Sequence, residues 1–131
     1  MKASPLLVGA LALAGCMIGS QIVTGATPVS PGDTFVCMSH AVTALGYTIT
    51  TSDKTTGFLA AEKVDPTVPD SAEFSELSVS IYTDRDGHTQ YMITPGRSRR
   101  TADGQRQTLG LVVQQGDDDA ASAVAKQCKN G

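Results

Sequence analysis

Across Glu73–Thr83, Leu77, Val79 and Ile81 alternate with Glu76, Ser78, Ser80 and Tyr82. That period of two fits a strand and not a helix. A strand so patterned buries one face and wets the other, as in an antiparallel sheet covered on a single side. Asp84-Arg85-Asp86-Gly87 follows directly and carries the Asp-Gly hairpin signal, so residues 88–94 read as the return strand. This hairpin constrains the rest of the chain: the other elements must extend the sheet or cover its apolar face.

The remaining patterns supply both. Phe35, Met38, Val42 and Leu45 recur at spacings of three, four and three, which places them on one face of a helix. Asp33 or Thr34 is the expected cap, and Gly46 is the expected residue just past its end. Residues 47–51 and 58–64 alternate as two short strands around the polar turn from Ser52 to Gly57, making a second hairpin. Residues 95–105 read as a polar loop. Leu109, Leu111 and Val113 alternate again, so 106–114 is a candidate fifth strand. Gly116 breaks the chain, and Asp117, Asp118 and Asp119 open a second helix, where acids complement the helix dipole. The predicted fold is α+β, in the order α-β-β-β-β-(β)-α, with one antiparallel sheet of four or five strands and two helices on one face.

The N-terminus does not belong to that domain. Between Lys2 and Asp33 no residue is charged. Residues 1–15 have the short basic start and apolar stretch of an export signal. Leu13-Ala14-Gly15-Cys16 is similar to the lipobox of bacterial lipoproteins at every position. Membership of that family implies a diacylglycerol on the Cys16 thiol, cleavage before Cys16, and an acyl group such as palmitate on the new amine. Two other fates stay open. Ala12-Leu13-Ala14 is also an ordinary signal-peptidase site, and residues 5–23 approach the length of an uncleaved anchor. Residues 16–32 read as the lipidated cysteine and a flexible Gly/Ser/Thr/Pro tether, and 33–131 as the single domain. Met17, where enteric-type bacteria would place an Asp to retain the protein at the inner membrane, points to the outer membrane facing the periplasm.

Three cysteines are present: Cys16, Cys37 and Cys128. With Cys16 lipidated, an even pair remains in a compartment that permits disulfides. Cys37 lies about one turn into the first helix and Cys128 in the last turn of the second. Antiparallel packing of the helices would bring them together as a disulfide. With three Phe, three Tyr and no Trp, a domain of this size is one that a staple helps.

Leu45-Gly46-Tyr47, then Thr48-Ile49-Thr50, then Asp53 to Gly57, then Phe58 to Glu62 resembles the repeated domain of lipoprotein C of the β-barrel assembly machinery, and many small envelope lipoproteins. The resemblance covers about residues 34–64. It implies a helix-on-sheet fold and an accessory role in the envelope, with a membrane contact through the lipid and an envelope protein as partner.

No catalytic constellation stands out. His40 and His88 are the only histidines, and neither has metal-ligand spacing to cysteines or carboxylates. No nucleophile motif, phosphate loop or Cys-x-x-Cys is present, and the Asp84–Gly87 stretch lacks the remaining ligands of a calcium loop. The chain is therefore read as a non-enzymatic protein-binding module without a cofactor or metal beyond the covalent lipid on Cys16. The formal charge of −3 gives no basic excess for nucleic acid. Two surfaces remain. Arg97, Arg99, Arg100 and Arg106 form a basic cluster suited to anionic lipid or glycan phosphate, which is the alternative function. Thr48, Thr50, Ser78, Ser80 and Tyr82 mark a sheet face left open if both helices lie on the other.

Overall fold

The computed structural model describes residues 22–67, 73–109 and 115–130. The export signal, Cys16 with its lipobox, and Leu111 and Val113 lie outside those residues. The elements are β1 (Val23–Thr27), α1 (Pro31–Ala44), β2 (Thr48–Asp53), β3 (Phe58–Val64), β4 (Glu73–Thr83), β5 (Thr89–Arg100), β6 (Arg106–Thr108) and α2 (Gln115–Cys128). They build one antiparallel sheet in the order β1-β5-β4-β3-β2, with β6 also paired to β5. The α+β architecture with two helices on one face is the one the patterning predicts.

Register explains which face is buried. Leu77 pairs with Ala61 and Pro95, Val79 with Leu59 and Ile93, and Ile81 with Tyr91. These side chains share a face and pack on Phe35, Met38, Ala41 and Val42 of α1 and on Ala121, Val124 and Ala125 of α2. Met38, Leu59, Leu77, Val79, Ile93 and Val124 are essentially inaccessible.

α1 starts earlier than Asp33. Ser30 is its cap, accepting from the Asp33 amide at 3.2 Å, and Pro31 occupies the first turn. Proline suits that position because its missing N–H has no helical partner to lose. At the other end the Tyr47 amide donates to Val42 O and the Gly46 amide to Thr43 O, with Gly46 at φ 92°. That is a Schellman motif, in which the residue after the glycine packs back on the helix. Both Tyr47 and Val42 are buried, so Leu45-Gly46-Tyr47 is a stop signal that also feeds the core.

The β2–β3 turn works similarly. Asp53 Oδ1 accepts from the amides of Thr55 and Thr56, and Gly57 N donates to Asp53 O. Gly57 has φ 75°, and a Cβ there would sit 2.1 Å from the carbonyl oxygen of Ile81. Gly57→Ala combines a left-handed backbone with a backbone overlap, and is expected to destabilise by more than about 2 kcal/mol. Urea unfolding followed by circular dichroism measures this, and a loss under about 0.5 kcal/mol would contradict the geometry.

Two expectations need correction. Val23–Thr27, inside the stretch read as tether, is a strand paired to the first half of β5. Its Gly25 leaves room for the Tyr91 ring, whose hydroxyl lies 2.3 Å from where a Cβ would be. Second, β5 does not stop at Thr94 but continues through Pro95 to Arg100. Arg97 directs its carbonyl away from β4, accepting from Leu109 N at 2.9 Å. Pro95 has the same parity. Its missing N–H therefore faces the gap between the β1 pairing at Ile93 and the β6 pairing at Ser98, and no β4 hydrogen bond is lost. Of the fifth strand expected over 106–114, Arg106–Thr108 is strand, β6, and 110–114 lie outside the described residues.

Cys37 and Cys128 stand at disulfide distance, with Cα atoms 5.7 Å apart. The start of α1 meets the end of α2, as antiparallel packing requires. Among the described residues no helix is long and apolar enough to cross a membrane.

Candidate functional site

The four arginines do not form one patch. Arg97 and Arg99 pair with Ser75 and Glu73 on the helix-covered face, whereas Arg100 and Arg106 project from the other. Arg97 is buried. Its Nη1 donates to Asp65 Oδ2 at 2.6 Å and Glu73 Oε1 at 3.1 Å, its Nε to Asp117 Oδ2 at 3.2 Å, and its Nη2 to Ser75 Oγ at 3.2 Å. The side chains of Arg97, Asp65 and Asp117 are only 6 %, 6 % and 5 % exposed. Glu73 also takes Arg99 at 3.2 Å.

This cluster joins β4, β5, α2 and the segment just after β3 at one point. Thr67, through its hydroxyl and amide, and then Arg97 bond Asp65 and hold its carboxyl at about 2. Burial opposes the charge on Arg97, but Asp65, Asp117 and Glu73 offset it and raise its pKa. Tyr47 lies alongside, its phenol pushed up to about 12 by burial and then by Asp117, against the opposite pull of Arg97 and Ser75. A cavity of about 430 Å³ opens beside them, bounded by Tyr47, Lys63, Asp65, Arg97, Asp117 and Asp119 among others. Arg97 already spends its Nε, both Nη1 protons and an Nη2 proton on protein oxygens, so the cluster has the character of a structural rivet.

The second face of the sheet offers more. No described element packs on it. Rows across the strands follow from the register: Tyr82 with Gln90 and Ala26; Asp53, Phe58, Ser80, Met92 and Thr24; Thr51, Ala60, Ser78 and Thr94; Thr48, Glu62, Glu76 and Gly96; Val64, Phe74, Ser98 and Thr108; and last Arg100 with Arg106. Thr48, Ser78, Ser80 and Tyr82 lie where the sequence places them. Thr50 does not, because the register shifts between Ile49 and Thr51 and Thr51 takes the place opposite Ala60.

Phe58, Tyr82 and Met92 are neighbours around Ser80, and are 38 %, 48 % and 37 % exposed. Such a cluster of large apolar side chains on one face is what interaction surfaces present. At the other end Phe74 is covered. The guanidinium of Arg106 lies 3.8 Å and that of Arg100 5.2 Å from its ring centroid, while Arg106 also pairs with Glu62 and Glu76. Between the ends lie the small residues Ala60, Ser78, Thr94 and Gly96, with Glu62 and Glu76 in the same rows.

His40 is exposed on α1. His88 stands 3.7 Å from Asp84, and the ligand atoms of Asp84, Asp86 and His88 fall within 4.8 Å of one another. Asp84 is committed to the turn, its Oδ1 accepting from the amides of Asp86 and His88 and its Oδ2 from Gln90 Nε2. The hairpin turn accounts for this group without a ligand. Spacing in the sequence could not bring Asp65, Glu73 and Asp117 to Arg97, nor reveal Phe74 beneath two arginines. The apolar trio was partly visible, since Tyr82 sits on the polar side of the β4 alternation.

The chain matches no protein-family model and no curated protein at a significant level.

Proposed function

We propose that this chain is a small envelope lipoprotein, anchored through lipid on Cys16, whose domain is a non-enzymatic binding module that presents its open sheet face to a protein partner. The observation that carries the binding role is the apolar trio Phe58, Tyr82 and Met92, exposed on a face that no described element covers. The lipobox and the apolar leader support the anchor, and Met17 supports the outer membrane facing the periplasm. Val23 lies seven positions on from Cys16, a reach of at most about 25 Å when extended. The domain therefore works at the bilayer surface.

A photo-crosslinking residue placed at Ser80, amid the trio, tests this in native membranes. The expected result is a discrete crosslinked protein from Ser80 and none from exposed Ser122 on α2. The same products from both positions, or no product from Ser80, would overturn it.

A further inference from the structure

We infer that the partner of the open face is a second copy of this chain, packed sheet to sheet about a two-fold axis that runs across the strands. This rests on the proposed role of that face and names its occupant.

The rows of side chains are complementary to themselves under that operation. An axis perpendicular to the strands, lying between the Ser78 row and the Glu76 row, reverses their order in the facing copy. The Phe58–Met92 row then meets exposed Val64 and the Arg106 guanidinium that covers Phe74. Ser78 meets Glu76, which can accept from its hydroxyl, Ala60 meets Glu62, and Thr94 meets Gly96. Tyr82 meets the end that carries Arg100, the pairing of an aromatic face with a guanidinium. The small residues Ala60, Ser78 and Thr94, set against Glu62, Glu76 and Gly96, let two sheets approach to the usual ~10 Å. An isologous contact requires this: each row must find its match on the same surface.

Area and anchoring agree with it. Five strands at ~4.8 Å spacing and the 11 residues of β4 give a face of roughly 700 Å². Stable interfaces bury about 800 Å² per partner. An axis across the strands keeps the two β1 edges on the same side of the pair. Both chains then leave for Cys16 in one direction, and one bilayer receives both anchors with the axis along its normal. An axis along the strands would send the two β1 edges to opposite sides.

Sedimentation velocity of the full lipidated chain in detergent micelles reads the protein mass. The wild type should carry two chains per particle. Ser78→Arg and Thr94→Arg, each at the centre of the face, should halve that mass while the urea midpoint stays in place. Ser122→Arg should leave two chains. If one of the central variants does not fold, the other decides. A single chain in the wild type, or two chains surviving the arginine at the face, would overturn the pairing. If the wild type is single while Ser80 crosslinks to a different protein, the dimer fails and the binding role stands; if Ser80 crosslinks to nothing, the binding role fails as well.

Discussion

Arg97→Met is expected to lower unfolding free energy by about 3–5 kcal/mol at pH 7, because it strands buried carboxylates that the guanidinium now neutralises. Asp65, Glu73 and Asp117 all bond to Arg97, and methionine fills much of its volume, so the loss is electrostatic rather than a cavity. Arg97→Lys keeps the charge but replaces a fork that reaches four partners with a single ammonium, and should fall between. The pH dependence has a definite sign. In the wild type Asp65 is held at about 2 against its ordinary 3.8. A depressed folded pKa contributes stability that is complete above the unfolded value and is lost as pH falls from about 4 toward 2. In the variant Asp65 is buried without the guanidinium that lowers its pKa, so the deficit relative to wild type should shrink as pH falls from 7 to 4.5. Urea titrations at both pH values measure this. A deficit below about 1 kcal/mol at pH 7 would mean that water reaches the cluster and screens it.

The second large effect is the loss of the bridge between Cys37 and Cys128. Their Cα separation of 5.7 Å falls within the span of a disulfide, and 91 residues separate them in sequence. Closing so long a loop removes unfolded-state entropy worth about 4 kcal/mol, an upper figure where residual structure already restricts the chain. Cys37→Ala with Cys128→Ala should therefore lower unfolding free energy toward that amount. Thiol counting on the denatured, lipidated chain should find two thiols after reduction and none before. Two reactive thiols without reductant would exclude the bridge. The end of α2 has one further tie, the Thr27 hydroxyl donating to Lys129 O at 2.6 Å, which would remain.

What the sequence discloses about this fold depends on how local the cause is. The β4–β5 hairpin was legible because alternation and an Asp-Gly turn are both local. Leu45-Gly46-Tyr47 was legible as a helix end because a Schellman motif needs only six consecutive residues. β1 was not, since Val23-Thr24-Gly25-Ala26-Thr27 has the composition of a linker and becomes a strand only because β5 offers a free edge and Tyr91 needs the space over Gly25. β5 beyond Thr94 was hidden by Pro95-Gly96 and by three arginines that read as wet. Proline is tolerated there because its missing N–H faces the gap between β1 and β6. Arg97 is buried because carboxylates arrive from 32, 24 and 20 residues away. The open face was expected from the polar side of β4, but its apolar trio needs Phe58 and Met92 from two other strands, and register alone brings them to Tyr82.

The lipid on Cys16 decides where the domain is held. Cells grown with labelled palmitate, followed by recovery of the protein and mass analysis of its N-terminal peptide, test that most directly. The expected result is label in the wild type on a peptide that begins at Cys16, and none in Cys16→Ser. Label in both proteins, label in neither, or a peptide beginning at Gly15 would contradict the anchor and leave the domain untethered.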